Sequence, residues 1–201
     1  MKNVFFLFIL VLISGCSSSS KTSATSATPV SAKKYSYLAL GDSYTIGEKV
    51  QENDRWPVQL VAELNEKGYS VAPPKIIAKT GWTTMDLIQG MNSNLAVQKD
   101  YDLVSILIGV NNQYQGQDIH KYEKELREIF RRAIDHSKTM EKGVFAVSIP
   151  NYGVTPFGQP REEQITKEIA DYNAVFARVA ADFNVDFYNI TPISEEAKNN
   201  P

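Results

Sequence analysis

Short apolar segments alternate with segments of helical periodicity from residue 35 to the end of the chain. Five segments have the length and composition of buried β-strands, namely 35–40, 75–78, 103–108, 144–149 and 185–190. Between them, apolar residues recur every three to four positions, as on the buried face of an amphipathic helix. Strands that alternate with helices predict an open parallel sheet with helices on both faces.

The hydrophobic pattern also indicates where some strands and helices lie. The fifth segment alternates polar and apolar residues (Asp186, Asn189), which favours an edge position in the sheet. Asp54 is predicted to cap a helix over 55–67. Thr83, with Asp86 three positions later, resembles a capping box that begins a second helix.

We therefore predict a flavodoxin-like three-layer α/β/α fold around a five-stranded parallel sheet. Such a sheet needs a final helix to cover the face beside the first strand, and 191–200 (TPISEEAKNN) reads only as a loop and the start of a short helix. We expect this last helix to be missing, and an apolar patch of the sheet to meet water as a result.

The beginning of the chain differs in composition from the rest. Residues 1–15 have a basic start, an apolar run too short to span a bilayer and small residues after it, which predicts a lipoprotein signal peptide. Cys16, the only cysteine, stands where a lipobox places its lipidated residue. Residues 16–32, rich in serine and threonine, are predicted to be a flexible tether. These features predict a domain over 33–201, anchored through lipid on Cys16 to a bacterial cell envelope and facing the periplasm or the exterior.

Composition excludes several functions. With 21 Lys and Arg against 23 Asp and Glu, the net charge of −2 gives no reason to expect nucleic acid as a partner. The chain has only two histidines and one cysteine, and it contains no glycine-rich phosphate loop. We therefore expect neither a metal nor another cofactor.

Candidate functional residues follow three of the predicted strands. The first strand leads into 41–47 (GDSYTIG), which contains Ser43. Gly81 follows the second strand, and Asn111 follows the third within 109–112 (GVNN). In order and placement, these motifs resemble the sequence blocks of the SGNH/GDSL hydrolase superfamily, and the resemblance extends from about Tyr35 to the end of the chain.

The resemblance implies hydrolysis of carboxylic esters, acyl or acetyl, with Ser43 as the nucleophile. Ser43, Gly81 and Asn111 would supply the donors that stabilise the oxyanion of the tetrahedral intermediate. In this family the position after the block asparagine is usually Asp, which is thought to brace the loop, whereas this chain has Asn112.

The family also supplies an Asp-x-x-His block after the last strand, and this sequence has none. His120 and His136 both fall in the helix between the third and fourth strands, where neither is expected to serve as the base. Two explanations stay open: the sequence is a fragment of an active esterase, or the protein is a lipid-anchored pseudoenzyme that binds without turnover. We favour the fragment because of the uncovered sheet face, and we expect no esterase activity from the 201 residues. A purely structural lipoprotein is a third possibility, but it leaves the three motifs unexplained.

Aromatic residues near the predicted site bear on the substrate. Tyr152 and Phe157 follow the fourth strand, and Trp82 follows Gly81. They are candidates for the walls of an acyl or sugar pocket, or for packing loops onto the sheet. The sequence leaves the ester substrate and the oligomeric state open.

Overall fold

The computed structural model describes residues 34–95 and 100–199. The predictions for the signal peptide, Cys16 and the tether lie outside these ranges. No helix among the described residues is long and apolar enough to cross a membrane.

The described chain forms a five-stranded parallel sheet with the strand order β2-β1-β3-β4-β5. The strands are β1 (Tyr37–Gly41), β2 (Lys75–Ala78), β3 (Leu103–Leu107), β4 (Val144–Val147) and β5 (Asp186–Tyr188). The helices are α1 (Ser43–Ile46), α2 (Trp56–Glu66), α3 (Thr84–Asn94), α4 (Val110–Tyr114), α5 (Ile119–Asp135), α6 (Glu162–Asp182) and α7 (Thr191–Glu195). This arrangement confirms the predicted flavodoxin-like α/β/α fold, and β5 is an edge strand as expected.

Side chains of each strand alternate between the two faces of the sheet. On one face, Leu38, Leu40 and Ile106 join residues of α3, α5 and α6 in the larger hydrophobic cluster. On the other face, Tyr37 and Ala39 belong to a smaller cluster. Of the helices in 34–95 and 100–199, only α2 contributes to that smaller cluster.

An apolar groove of about 650 Å³ lies beside α2 on the second face. Its lining includes Leu60 and Leu64 of α2, Leu107 of β3, and Phe145 and Val147 of β4. The sheet therefore keeps an incompletely covered face within the described residues, in accordance with the expectation from the sequence.

The ends of several elements differ from the sequence-based prediction. The predicted cap Asp54 lies instead in a 3-10 turn (Glu52–Asp54), and Arg55 takes the N-cap position of α2 with no capping hydrogen bond from its side chain. The capping box of α3 is confirmed, with Thr83 and Asp86 each bonded to the backbone of the other. The third, fourth and fifth strands end one to two residues earlier than predicted. The residues that follow them belong to the loops at the carboxyl edge of the sheet.

Candidate active site

Ser43 begins a single turn of helix directly after β1. The Asp42 side chain caps this turn by accepting a hydrogen bond from the Tyr44 amide at 3.1 Å. The turn closes at Gly47, whose amide donates to the carbonyl of Ser43. Ser43 is thus held partly exposed at the carboxyl edge of the sheet, and within residues 34–95 and 100–199 no hydrogen bond engages its hydroxyl. An unengaged hydroxyl at this edge is available to a substrate.

Asp42 has an unusual environment for a carboxyl group. It is fully buried, and burial raises its pKa to about 7, although backbone amides of Tyr44 and Gly109 hydrogen-bond to it and act in the opposite direction. Its second oxygen, Oδ2, is buried without a hydrogen-bond partner among the described residues. The group beside the nucleophile is therefore poised to change charge near neutral pH.

Gly81 and Asn111 lie on the loops that follow the neighbouring strands. Gly41, at the end of β1, pairs with Ala78 of β2 and Leu107 of β3, so the three following loops begin at the same edge. Gly81 has a φ of +81° and open space where a side chain would project. The Asn111 amide donates one hydrogen bond to the carbonyl of Trp82 at 2.9 Å, which ties the second loop to the third. Its second N–H remains for a ligand.

Asn112 holds the loop after β3 in place through side-chain hydrogen bonds. Its amide nitrogen donates to Thr84 Oγ1 at 2.7 Å and to Gln117 Oε1 at 3.1 Å, and its oxygen accepts from the Thr84 amide. The Thr84 hydroxyl in turn donates to the carboxylate of Glu125 at 2.5 Å. An aspartate here would add a second acceptor charge to a buried network that already contains Glu125, so asparagine suits these neighbours.

A cavity of about 630 Å³ opens beside the nucleophile. Ser43 and Asn111 line it, together with Thr80, the residue before Gly81. Tyr152 and Phe157 also line it, and their contact with a substrate stays a prediction. Their rings form a cluster with Tyr114, with centroid separations of 6.2 to 6.4 Å.

Trp82 differs from the other predicted substrate contacts because it is not among the residues that line this cavity. Its ring packs against the larger hydrophobic cluster and over Gly90 of α3, where a Cβ would lie 2.3 Å from the indole. The indole fills the space that a side chain at position 90 would occupy. Only the backbone carbonyl of Trp82 contributes to the site, by accepting the hydrogen bond from Asn111. The geometry gives Trp82 a packing role in place of the predicted substrate contact.

Neither histidine reaches Ser43. His120 is exposed near the start of α5, and no histidine lines the cavity. His136 caps the other end of α5, and its carbonyl accepts from the Tyr101 amide near the amino edge of the sheet. The described residues therefore supply no imidazole base to Ser43. No group of three or more metal-ligating side chains occurs in the described part of the chain either.

Several residues of the cavity were not anticipated from the sequence. Arg55, Trp56, Lys49 and Tyr114 all line it. One signal was available for Arg55: a cation immediately before a helix opposes the helix dipole and so calls for an explanation. Tyr114 carried no comparable signal, because its position in the cavity depends on the fold of α4.

The model of the GDSL-like lipase/acylhydrolase family matches residues 39–201. No match was found among curated protein sequences.

Solved structures share the fold at low sequence identity. The acetyl xylan esterase AlAXEase is 20% identical over 83% of each chain, with a TM-score of 0.65. TesA is 20% identical over 76% of each chain, with a TM-score of 0.60. An extracellular lipase from Streptomyces rimosus is 21% identical over 79% of this chain and 81% of its own, with a TM-score of 0.59.

Proposed function

The chain belongs to the GDSL-like lipase/acylhydrolase family, and from this premise we propose that Ser43 is the nucleophile of a carboxylic-ester hydrolase. The observation that carries the proposal is the single cavity that contains Ser43 and Asn111 at the carboxyl edge of the sheet. Ligands of open α/β sheets bind at this edge. The family itself supports ester hydrolysis in general, and the roles of individual residues are the part proposed.

In this proposal, Ser43 Oγ attacks the carbonyl carbon of the ester. The negative charge that develops on the carbonyl oxygen is stabilised by the Ser43 amide, the Gly81 amide and the free N–H of Asn111. Removal of one such donor costs a factor of about 10² to 10³ in rate. The open space at Gly81 allows a substrate to come close to its amide.

Ser43 needs a base to take its proton, and no histidine lines the cavity. We therefore propose that the 201 residues bind esters and hydrolyse them only slowly unless a base is supplied. Added imidazole can act as that base because the cavity is open to solvent. The second candidate function, a binding protein with a non-catalytic SGNH pocket, is favoured by the same missing histidine.

The two candidates are separated by p-nitrophenyl acetate hydrolysis with and without imidazole. We expect the purified protein to show little turnover alone and a saturable increase with imidazole, beyond the rate of imidazole itself. Ser43→Ala is expected to abolish this increase. Ser93→Ala, which changes an exposed serine on α3 outside the cavity, is the matched control and should behave as the wild type.

Equal rates for the wild type and Ser43→Ala at every imidazole concentration would rule out Ser43 as the nucleophile. Substrate binding by calorimetry without any Ser43-dependent turnover would instead identify the binding protein.

We further propose that the protein is held at a bacterial cell envelope by lipid on Cys16. The support is the apolar run before this cysteine and the serine-rich segment after it. Metabolic labelling with an alkyne-tagged fatty acid is expected to mark the wild type and to leave Cys16→Ser unlabelled. Labelling of both proteins would refute the site.

A further inference from the structure

Arg55 packs against the turn that carries the nucleophile. A Cβ added to Gly47 would lie 2.4 Å from Arg55 Cγ, so the stem of the arginine rests directly on the last residue of that turn. Gly47 in turn donates its amide to the Ser43 carbonyl. Arg55 lines the same cavity as Ser43. Arg55 is therefore a fixed part of the site, although it belongs to a different segment of the chain.

The guanidinium group of Arg55 makes no hydrogen bond or ion pair within the described residues. Its Nε is buried without a hydrogen bond, and so is Nε1 of the adjacent Trp56, which also lines the cavity. Other arginines of the described chain hold carboxylates at 2.6 to 2.9 Å, namely Arg127, Arg131, Arg132 and Arg178. The terminal nitrogens Nη1 and Nη2 are not among the buried atoms, so they are the Arg55 donors that acceptors on a ligand can reach.

The position of Arg55 also opposes the stability of α2. Arg55 occupies the N-cap of this helix, where a cation is disfavoured by the helix dipole and where a short polar side chain would cap better. Residues that break a local rule in this way occur mainly at functional sites.

The rest of the lining restricts which ligand fits. Glu48 and Asp54 place carboxylates at the same cavity, so a strongly anionic ligand would meet repulsion as well as Arg55. Tyr114 and Phe157 are 54% and 70% exposed, and they offer ring surface to the cavity. A purely aliphatic ligand would cover these rings and leave the Arg55 guanidinium without a partner.

A sugar ring fits all of these features. Its hydroxyls both donate and accept hydrogen bonds, which matches carboxylates and a guanidinium in one cavity. Its C–H face packs on aromatic rings. We propose that Arg55, together with Tyr114 and Phe157, binds the sugar portion of an O-acylated sugar whose ester lies at Ser43.

This inference rests on the proposed function for its reaction. Ser43 Oγ would bond to the acyl carbon, the bond between acyl carbon and sugar oxygen would break, and the sugar oxygen would leave with a proton as a hydroxyl. Water would then release the carboxylic acid from Ser43.

Calorimetry with methyl 6-O-acetyl-glucopyranoside tests the binding step directly. Ser43→Ala protein is used as the background, so that the ester stays intact. Arg55→Met keeps the stem and removes the guanidinium, and we expect it to weaken binding by about tenfold or more, the loss of one hydrogen bond to a charged group. Phe157→Ala is expected to weaken binding by a similar factor. Arg131→Met, which changes an exposed arginine on α5, is the matched control and should leave affinity within about twofold.

Ethyl octanoate serves as the comparison ligand, and its affinity is expected to be unaffected by Arg55→Met. The inference is overturned if the sugar ester fails to bind, or if its affinity is the same with and without the Arg55 guanidinium. Thermal unfolding of Arg55→Met keeps the result interpretable, because this variant is expected to be at least as stable as its parent. If the sugar ester binds but imidazole produces no Ser43-dependent turnover, the proposed sugar site stands and the proposed hydrolase activity is refuted.

Discussion

Two aspartates at opposite edges of the sheet differ in how their carboxyl groups are partnered. At the amino edge, the Asp102 carboxylate accepts hydrogen bonds from the Ser36 amide and hydroxyl at 2.8 Å and pairs with Lys138 at 2.5 Å. At the carboxyl edge, Asp42 is fully buried with one oxygen unpartnered. Unused donors of Arg55 and Trp56 lie at the same edge.

This difference indicates that the polar groups at the amino edge mainly stabilise the fold, whereas those at the carboxyl edge mainly serve the candidate site. The paired Ser36, Asp102 and Lys138 hold the starts of β1 and β3 together, and the Asp102 carboxylate is already engaged. Groups without partners cost stability, and they persist where a ligand can satisfy them. Matched substitutions at the two edges test this reading.

The largest contrast is expected between two glycines. At the carboxyl edge, Gly109 has a φ of +128°, and an added Cβ would lie 2.8 Å from Ile149 and Tyr122, both fully buried. Gly109→Ala should therefore combine backbone strain with overpacking and lower the free energy of unfolding by about 2–5 kcal/mol. Gly68, near the amino edge, has a φ of +90° and open space around it, so Gly68→Ala should cost only about 1–2 kcal/mol. Urea denaturation measures both, and equal losses would contradict the contrast.

Asp42 should make stability depend on pH. Its pKa of about 7 in the folded protein lies above the ordinary value of 3.8, so between these values the folded state holds a proton that the unfolded state releases. The contribution of Asp42 to the free energy of unfolding should therefore decrease as pH rises from about 4 to about 7, by about 4 kcal/mol in total. Asp42→Asn should remove this slope. Urea denaturation at a series of pH values measures it, and identical profiles for the two proteins would refute the raised pKa.

Asp102 should show the opposite dependence. Burial works against its ionisation, but hydrogen bonds from Lys138 and Ser36 prevail and hold the pKa at about 2. Its stabilising contribution is present above about pH 4 and should be lost as pH falls through about 2. Asp102→Asn should cost about 1–3 kcal/mol at pH 7 and progressively less in acid. A cost that grows on acidification would contradict the assigned partners.

The smallest contrast concerns two serines. The Ser36 hydroxyl donates to Asp102, so Ser36→Ala should cost about 1 kcal/mol. The Ser43 hydroxyl makes no hydrogen bond within the described residues, and Ser43→Ala should therefore change stability by less than about 0.5 kcal/mol. Thermal unfolding can resolve the two. A substantial loss of stability in Ser43→Ala would mean that the hydroxyl is structural and not held ready for a substrate.

The sequence was most informative where one chemical property dominated. Four strands were found as compact apolar runs and the fifth as an alternation of polar and apolar residues. The capping box of α3 was found because Thr83 and Asp86 have the spacing of reciprocal caps. The start of α2 was placed one residue too early because the 3-10 turn at Glu52–Asp54 competes with the helix for Asp54. Periodicity does not reveal such a local competition between two hydrogen-bonding patterns.

Candidate substrate contacts were harder to predict. Tyr152 and Phe157 line the cavity, whereas Trp82 packs over Gly90, although all three are aromatic residues near strand ends. Arg55 and Tyr114 complete the cavity from segments that the motifs did not include. Which face an aromatic side chain takes depends on the volume that distant elements leave free.

By itself, the sequence determined the parallel α/β fold class, the edge position of the fifth strand, and the edge of the sheet at which Ser43, Gly81 and Asn111 follow their strands. These are local properties of composition and spacing. Only the tertiary structure decided that Asp42 is buried with a raised pKa, that Asn112 joins Thr84 and Glu125, and that Arg55 rests on Gly47 without a partner. The first two depend on groups far apart in the chain, and the third depends on the path of the loop between Gly47 and Arg55. Burial and hydrogen bonding are set when the fold brings these groups together.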